Sequence, residues 1–261
     1  MTFSHREWDA GSYHRVSEPQ LEWGRAVLER LAPKGDETVV DAGCGTGRVT
    51  RLLAERLPKG GVVAVDGSAA MVERATVELA DLGDRVRFVH ADLVELELNE
   101  PADAVISTAT FHWIGDHGAL FRRLAAALVP GGRLVAQCGG AGNLDGLLVA
   151  IDAAADRPDR ASLLAGVHDA WNFATPEQTE AQLRAAGFDE ALAWLEDAPV
   201  VLDAGGEAEE FLATVVLRPH LARLAEDQRR PFVDEVTERA ARDGRVLLDY
   251  TRLNMDGGTP A

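Results

Sequence analysis

The chain has 261 residues, 46% of them hydrophobic, which is enough for one α/β core with residues left for a cap. Its formal charge of −17, from 43 acidic and 26 basic residues, argues against binding to nucleic-acid phosphates or anionic membranes. No signal peptide pattern and no apolar stretch of about 18 residues occurs, so we expect a cytoplasmic protein. Cys44 and Cys138 form no C-x-x-C pair, so we expect neither a zinc site nor a disulfide framework.

The first predicted strand is followed by three alternating glycines. Val39 and Val40 have the character of a buried parallel strand, and the sequence T-V-V-D-A-G-C-G-T-G then leads into a helix predicted over Thr46–Leu57. Glycines allow a sharp turn and let bare backbone approach a ligand at a helix N-terminus. A tight structural turn could use the same glycines, but the strand that ends in an acidic residue favours cofactor binding.

The glycine spacing indicates which cofactor binds. A dinucleotide-binding turn has the pattern G-x-G-x-x-G/A, and counted from Gly43 its last small residue is replaced by Arg48. Here the pattern is G-x-G-x-G, over Gly43, Gly45 and Gly47, directly after Asp41. A carboxylate that faces the ligand would repel a pyrophosphate and would suit the ammonium and sulfonium of S-adenosylmethionine. The turn therefore predicts S-adenosylmethionine rather than NAD.

Three further strands are predicted in order at Gly61–Asp66, Val86–Leu93 and Ala102–Thr108. Asp66 lies about 20 residues past the glycines, where a carboxylate can bind the two ribose hydroxyls. It could instead cap the helix predicted over Ala69–Leu82, although Ser68 suits that position better. Asp92, at the end of the third strand, could accept a hydrogen bond from an adenine amino group.

The segment Ala109–Trp113 follows the fourth strand and falls in the crevice where open α/β sheets bind ligands. A Pro-Gly turn then leads into a fifth strand over Pro130–Gln137. Because strands alternate with amphipathic helices up to about Cys138, the pattern predicts a parallel, doubly wound sheet.

The second half of the chain is predicted to be mainly helical, with two more strands. Thr175–Gly187 has an N-cap Thr, a Pro at the first helical position and a terminating Gly, which together predict a well-defined helix. We expect the tail, Asp256–Ala261, to be frayed. The other predicted elements are helices at Leu144–Ala155, Ala161–Trp171, Glu207–Leu224 and Glu226–Asp243, and strands at Ala191–Glu196 and Arg245–Asn254.

Five sequence segments carry a family resemblance that runs almost from end to end. They are W-D-A-G-S-Y at Trp8–Tyr13, D-G-S-A-A-M at Asp66–Met71, F-H-W-I-G-D-H at Phe111–His117, L-R-P-H-L at Leu217–Leu221 and Y-T-R-L at Tyr250–Leu253. With the strand order of residues 38–138, they resemble the class I S-adenosylmethionine-dependent methyltransferases, and among these the trans-aconitate methyltransferase group of carboxyl methyltransferases. The chain departs from that group at His112, where a neutral residue usually precedes the Trp.

The resemblance implies an α/β fold with a seven-stranded, mostly parallel, doubly wound (Rossmann-like) sheet and a helical cap. It implies one domain over residues 1–261, with N-terminal lid helices in 1–30, a cofactor-binding core at 38–138 and the cap inserted at about 207–243. Met71 could equally be a core side chain. The implied cofactor-binding residues are Tyr13, Asp41, Gly43, Gly45, Asp66, Gly67, Met71, Ala91, Asp92, Leu93 and Thr108.

The methyl acceptor is expected to be an oxygen atom of a small molecule. Nitrogen methyltransferases of this fold place an Asn/Asp-Pro-Pro-aromatic motif after the fourth strand, whereas this chain has S-T-A-T-F-H-W there. For a carboxylic acid acceptor resembling trans-aconitate, the resemblance implies substrate contacts from Trp113, Arg218 and Arg252. Either arginine could instead be a surface charge or form an internal salt bridge.

Three alternatives remain open on the sequence. The first is an O-methyltransferase of a hydroxylated natural product, with His112 as its catalytic base, although His112 could equally be a packed residue beside Trp113. The second is an NAD-linked oxidoreductase. The third is a non-catalytic subunit that binds the cofactor. The sequence does not indicate an oligomeric state.

Overall fold

The computed structural model describes residues 18–168 and 171–261, so Tyr13 and the rest of the expected lid segment up to residue 17 lie outside the described residues. The described strands are β1 (Thr38–Ala42), β2 (Gly61–Asp66), β3 (Val86–His90), β4 (Ala102–Thr108), β5 (Leu128–Gly139), β6 (Glu190–Asp197), β7 (Val200–Asp203), β8 (Ala241–Arg242), β9 (Arg245–Leu248) and β10 (Thr251–Gly258). Seven of them form a central sheet in the order β3-β2-β1-β4-β5-β10-β6, in which β10 is antiparallel to both neighbours. The predicted fold class is confirmed.

Helices cover the sheet and build the cap. The described α-helices are α1 (Glu18–Leu31), α2 (Arg48–Glu55), α3 (Ala69–Glu78), α4 (His117–Ala126), α5 (Asp145–Ala155), α6 (Ala161–Leu164), α7 (Pro176–Ala185), α8 (Gly206–Phe211), α9 (Arg218–Leu221) and α10 (Glu226–Ala240), and a π-helical segment, Leu212–Val216, follows α8. The predicted N-cap residue of α7, Thr175, is confirmed, because Thr175 and Gln178 exchange side-chain and backbone hydrogen bonds in a capping box. None of the described helices is long and apolar enough to cross a membrane.

The position of the crevice follows from the strand order. β1 pairs in parallel with β2 on one side and with β4 on the other, so the chain reverses its direction of winding at this point. Alternating side chains of β1 serve both faces: Val40 packs in one apolar cluster and Val39 in the other. In open α/β sheets such a switch point marks the crevice for a ligand, at the carboxyl ends of the strands, here those of β1 and β4.

The cap has its own apolar core, which contains Ile151, Phe211, Phe232 and Val246. These side chains come from α5, α8, α10 and β9 in turn. The region expected to hold only helices also contributes to a small antiparallel sheet with the order β7-β9-β8. The sequence did not predict this sheet, because each of its strands has only two to four residues.

The prediction of one last strand over Arg245–Asn254 was wrong, because the chain changes sheets at Asp249. The Asp249 carboxylate accepts the N–H groups of Gly146 and Leu147 at 2.6 and 3.4 Å, at the start of α5. The N–H groups of the first helical turn have no partner within the helix, so an acidic side chain stabilises them there. β9 therefore ends before Asp249, and β10 begins two residues after it.

The prediction of a frayed tail was also wrong. Asp256, Gly257 and Gly258 continue β10 and pair with both β5 and β6. The Asp256 carboxylate accepts a hydrogen bond from Arg30 Nε at 2.9 Å, and Thr259 donates its N–H to Gly132. The helix expected over Ala161–Trp171 is shorter than expected, because α6 ends at Leu164.

The ordered tail gives a stability test. A Cβ atom at Gly257 would lie 2.8 Å from Cδ1 of the buried Phe188 ring, whereas at Gly258 the nearest atom would be 3.6 Å away. We expect Gly257→Ala to lower the free energy of unfolding by about 1–3 kcal/mol through overpacking. Gly258→Ala, the matched control, should change it by less than about 0.5 kcal/mol. Urea denaturation measures both, and equal stabilities of the two variants would contradict the packing of this segment.

Candidate functional site

The three glycines after β1 have different roles. Gly43, Gly45 and Gly47 all have left-handed backbone conformations, with φ of 89°, 53° and 86°. A Cβ atom at Gly43 would collide with the Thr110 side chain, and one at Gly47 would lie 2.7 Å from Leu79 Cδ1. At Gly45 nothing lies within 4 Å of a Cβ position. Two glycines are therefore needed for packing, and Gly45 presents bare backbone to open space, as cofactor binding requires.

Asp66 joins the glycine turn to the end of β2. Its Oδ2 accepts the N–H of Gly45 at 2.8 Å, and its Oδ1 accepts the N–H of Ser68 at 2.9 Å. Ser68, not Asp66, caps α3, because its hydroxyl accepts the N–H of Met71. The helix-cap alternative for Asp66 is therefore wrong. Its carboxylate is half-buried at the edge of the crevice.

Asp41 lies behind the glycine turn. It is 1% exposed, and its carboxylate accepts a hydrogen bond from Thr50 Oγ1 at 2.6 Å. Burial raises the pKa of Asp41 to about 6, and the nearby charge of Asp66 adds to the effect. The expectation of a carboxylate that faces the ligand directly is therefore wrong for Asp41 in this structure. The glycine turn separates the Asp41 carboxylate from the ligand. The carboxylate can therefore attract a bound cation only across the turn, where solvent screens the charges poorly.

The segment after β3 lies beside Asp66, at the carboxyl end of β2. Ala91 donates its N–H to the carbonyl of Asp66 at 3.1 Å, and the His90 ring lies 3.1 Å from the carbonyl of Gly67. Ala91 and Gly67 are half-buried, so both border accessible space. The structure thus brings these two predicted cofactor contacts together.

The remaining predicted contacts near α3 differ in exposure. Asp92 is half-buried, and its Oδ1 accepts the N–H of Val94 at 3.1 Å, which leaves the other oxygen for a ligand. Met71 and Leu93 are 3% and 5% exposed, and Leu93 belongs to the sheet core. These two side chains can offer at most an edge to a bound nucleoside.

The loop after β4 contacts the glycine turn. The Thr110 hydroxyl donates to the carbonyl of Thr108 at 3.0 Å and lies 3.3 Å from that of Gly43. Ala109, between them, has a left-handed φ of 54°, which is uncommon for a residue with a side chain. Thr110 belongs to the Ala109–Trp113 segment predicted to lie in the crevice, but its own role was not predictable, because it depends on a contact with Gly43, far away in the chain.

A cleft lined with aromatic rings opens beside this loop. The cleft is narrow and open to solvent, and its empty space, counted out into the solvent, is about 480 Å³. Trp171 stacks on Phe173 with 5.7 Å between ring centroids and meets Trp113 edge-on at 5.9 Å. The aromatic residues in the described part of its lining are Trp23, Trp113, Trp171, Phe173 and Tyr250.

His112 lines the cleft with a neutral ring. Its Nδ1 accepts the N–H of Gly139 at 3.2 Å, and the ring lies between Trp113 and Phe173 at 5.1 and 5.9 Å. Burial, with the Arg252 charge as a further cause, holds the pKa of His112 well below its ordinary value. A neutral imidazole that accepts at Nδ1 carries its proton on Nε2. The ring is therefore arranged as a donor, which argues against the proposed base.

Among the described residues, Arg252 is the cation that lines this cleft, and Arg218 is not part of the described lining. Arg252 is 2% exposed, and its guanidinium lies 4.4 Å from the centroid of the Trp23 ring and 5.9 Å from that of Tyr250. Arg218 begins α9 in the cap and is not among the described residues that line the cleft. The structure therefore brings together His112, Trp113 and Arg252 but not Arg218. Among the described residues, no cluster of His, Cys, Asp or Glu could hold a metal ion.

Sequence reasoning missed two cleft residues: Trp171 was predicted to end a helix, and Phe173 was assigned to no element. In the structure Asn172, between them, donates its N–H to the carbonyl of His112 at 2.8 Å. The available signal was the W-N-F sequence shortly before the N-cap Thr175, where two large rings have no helical periodicity to satisfy.

Comparisons with known proteins agree with this geometry. Residues 39–132 match the family described as "Methyltransferase domain". The chain is 30% identical to a trans-aconitate 2-methyltransferase from Azoarcus sp. (strain BH72), over 95% of this chain and 97% of that protein. It is 28% identical to the enzyme of the same name from Methylobacterium nodulans, over 95% and 96%.

Solved structures share the fold at lower identity. Phosphoethanolamine N-methyltransferase 2 of Haemonchus contortus, in complex with S-adenosyl-L-methionine, has a TM-score of 0.63 at 19% identity, over 97% of this chain and 57% of that one. The YcgJ protein of Bacillus subtilis has a TM-score of 0.65 at 15% identity, over 92% and 99%. This chain therefore belongs to the class I S-adenosylmethionine-dependent methyltransferases, is related over its length to the trans-aconitate methyltransferases, and uses S-adenosyl-L-methionine as its cofactor.

Proposed function

We propose that the protein methylates a carboxylate oxygen of a small organic acid. The observation that carries this proposal is the buried guanidinium of Arg252 in the wall of an aromatic cleft beside the cofactor turn. Relatives named trans-aconitate 2-methyltransferase support an acid as the acceptor. Arg218, outside the cleft, would act at most as a cap residue.

The cofactor would lie across the carboxyl ends of β1, β2 and β4. Gly45 leaves room for its backbone approach, and Asp66 would accept hydrogen bonds from the ribose hydroxyls. Gly67, Ala91 and Asp92 would border the adenine, with Thr108 nearer the reacting end. Met71, Leu93, Gly43 and Asp41 would support this site from behind, and Tyr13 remains a proposed lid contact.

The chemistry asks the protein mainly for positioning. S-adenosylmethionine, when bound, supplies an activated methyl group on its sulfonium. A carboxylic acid is already ionised at neutral pH, so the chain needs no base to generate the nucleophile. Arg252 would hold the carboxylate, the aromatic walls would exclude water, and the alignment of the two groups can supply about 7–11 kcal/mol.

The charge of the cleft separates acid acceptors from amines. An aromatic cage alone would suit a quaternary or protonated amine through cation–π contacts. Here Arg252 already lies over Trp23 and Tyr250, so a second cation would meet like-charge repulsion in a poorly screened space. A carboxylate meets attraction at the same place.

The hydroxyl alternative requires His112 to take a proton, and the hydrogen bond from Gly139 opposes this. The Nδ1 lone pair is occupied by that N–H, and in the neutral ring Nε2 already carries its proton. His112 is better suited to donate a hydrogen bond from Nε2 to an acceptor oxygen. That role fits a carboxylate, which has four lone pairs to satisfy.

Asp66→Ala tests the cofactor site. Because the change removes the acceptor of the Gly45 N–H as well as the ribose contacts, we expect S-adenosylhomocysteine binding to weaken by about 1.5–3 kcal/mol in calorimetry. Ser68→Ala is the control, since it removes the cap of α3, at about 1 kcal/mol of stability, and should bind the ligand nearly normally. Wild-type affinity in Asp66→Ala would refute the assignment.

Asp41→Asn tests whether the buried charge serves a cationic ligand. The folded-state pKa of about 6 lies above the ordinary 3.9 or so of an unfolded aspartate, so the free energy of unfolding falls as pH rises from about 4 to about 6 and stays lower above that. We expect Asp41→Asn to be more stable than wild type at pH 8, by on the order of 2 kcal/mol.

The same variant should discriminate between two ligands. Because the sulfonium of S-adenosylmethionine is positive and the thioether of S-adenosylhomocysteine is neutral, Asp41→Asn should weaken binding of the first more than that of the second. Thr50→Val, which removes the hydrogen bond to Asp41 without changing the charge, should not discriminate between them. Equal losses for both ligands in Asp41→Asn would show that its charge plays no such part.

Three variants distinguish a carboxylate acceptor from a hydroxyl acceptor: Arg252→Gln, Arg218→Gln and His112→Gln. For an acid acceptor we expect Arg252→Gln to raise the activation free energy derived from kcat/KM by about 2–5 kcal/mol. Arg218→Gln should have a kcat/KM near that of wild type. Both variants should bind S-adenosylhomocysteine with unchanged affinity. His112→Gln keeps an N–H donor but cannot take a proton, so it should retain activity within about tenfold. If His112→Gln instead lowers kcat/KM for a hydroxyl substrate by about 10²–10⁴-fold, His112 acts as the catalytic base. Initial rates with labelled methyl donor measure all three.

A further inference from the structure

An asparagine that no sequence motif indicated lies in the wall of the aromatic cleft. Asn143 follows β5, is 3% exposed and lines the cleft beside Leu144. Its backbone N–H donates to the carbonyl of Gly140 at 3.0 Å. Leu144, directly after it, has a left-handed φ of 63°, which is uncommon for a residue with a branched side chain. Asn143 therefore lies in a constrained turn at the end of the central sheet, where its side chain is firmly placed.

One hydrogen bond determines how the Asn143 amide is oriented. Its Oδ1 accepts the backbone N–H of Thr251 at 3.1 Å, at the start of β10. Because only the amide oxygen can accept, exchanging the oxygen with the nitrogen would lose this bond. Nδ2 lies at the end of β5, 3.0 Å from the position that a Cβ atom at Gly139 would take. What the amide offers a ligand in the cleft is therefore an N–H donor.

Two other donors of the cleft are positioned by the same strand end. The His112 ring accepts the Gly139 N–H at Nδ1, which leaves its Nε2–H to donate. Arg252 pairs with Gly139 across the sheet, one residue after the N–H that orients Asn143. The imidazole, the amide and the guanidinium all belong to residues that line the cleft. Gly139 and the start of β10 thus bring three kinds of hydrogen-bond donor to one region of its wall.

A carboxylate can use several such donors at once. It has two oxygen atoms with about four lone-pair sites, and methyl transfer uses one of these sites. The remaining sites can stay hydrogen-bonded while the methyl group is transferred. Donors from different directions also restrict rotation of the carboxylate, and orientation of the nucleophile is a main source of rate in such a reaction. A protonated amine, in contrast, offers only hydrogens and cannot accept from an amide N–H.

We infer that Asn143 is a further acceptor-binding residue, which donates a hydrogen bond from Nδ2 to the carboxylate of the acid. This inference rests on the proposed carboxyl methyltransferase function and adds a residue to its site. Arg252 attracts the carboxylate by its charge, and Asn143 and His112 orient it toward the methyl donor.

Asn143→Asp tests the inference, because it replaces the donor by an acceptor of nearly the same shape. One aspartate oxygen can still accept the Thr251 N–H, whereas the other places a negative charge where Nδ2 was. A panel of trans-aconitate, citrate, crotonate and 3-phenylpropionate first identifies the acid that wild type methylates with the highest kcat/KM. For that acid we expect Asn143→Asp to lower kcat/KM by about 100-fold or more. Affinity for S-adenosylhomocysteine, measured by calorimetry, should stay within about threefold of wild type.

Two alanine variants provide the second measurement and the control. Asn143→Ala adds no charge and should lower kcat/KM by about 10–100-fold, so it decides the question if Asn143→Asp does not fold. Thr251→Ala keeps the backbone N–H that orients the amide, so its kcat/KM should stay within about threefold of wild type. Urea denaturation checks that each variant is folded.

The double variant Asn143→Ala/Arg252→Gln separates acceptor binding from a structural effect. If both side chains contact one carboxylate, the combined loss in kcat/KM should be at least about threefold smaller than the product of the two single losses. A combined loss equal to that product would contradict contact with the same group.

The remaining outcomes distinguish this inference from the function on which it rests. Wild-type kcat/KM in both Asn143 variants, or an equal loss in Thr251→Ala, would overturn the inference and leave the carboxyl methyltransferase proposal standing. Methylation of none of the acids, by wild-type protein that binds S-adenosylhomocysteine, would overturn both.

Discussion

The aromatic cleft, proposed to bind the acceptor, depends on the absence of a side chain at Gly139, the last residue of β5. A Cβ atom there would lie 2.8 Å from a ring carbon of Phe173 and 3.0 Å from the amide nitrogen of Asn143, so only glycine allows both to approach the strand end. The same residue donates its N–H to His112 and pairs with Arg252 across the sheet. Gly139 thus orients the His112 imidazole, allows the Phe173 ring to approach the strand end, and fixes the position of Arg252 in the sheet.

The cofactor turn and the cleft are joined by the loop after β4. Thr110 packs against Gly43 of the turn, and His112, two residues further on, forms part of the cleft wall. The loop is short and hydrogen-bonded at both ends, because Ala109 donates its N–H to Gln137 and His112 accepts from Gly139. In the proposed reaction this short, hydrogen-bonded loop would set the position of the acceptor relative to the methyl donor, and such positioning is what a reaction with an activated donor most requires.

Local signals explain which features were predictable from sequence. Three predicted features hold, and each depends on residues close together in the chain: the strands up to β5, the glycine turn and the N-cap of α7. The division of the last strand at Asp249 depends on the first turn of α5, about a hundred residues earlier, and no local pattern encodes it. The burial of Asp41 behind the turn and the alignment of Trp171 with Trp113 are likewise long-range effects. Arg252 and His112 were identifiable by residue type, but their protonation and partners were not.

Burial determines the protonation of the titratable groups around Arg252. Burial keeps His112 neutral by lowering its pKa, and burial raises the pKa of Cys138 to about 12, so the thiol beside Arg252 stays protonated. The rings of Trp23 and Tyr250 offset part of the desolvation of the guanidinium, by about 0.5–2 kcal/mol for each good cation–π contact. A carboxylate that reaches Arg252, as proposed, would meet its positive charge in a poorly screened setting. Because Val215 and Val216 come from the cap, that environment is completed only where cap and sheet meet, so any loosening of the cap would admit water and weaken the attraction.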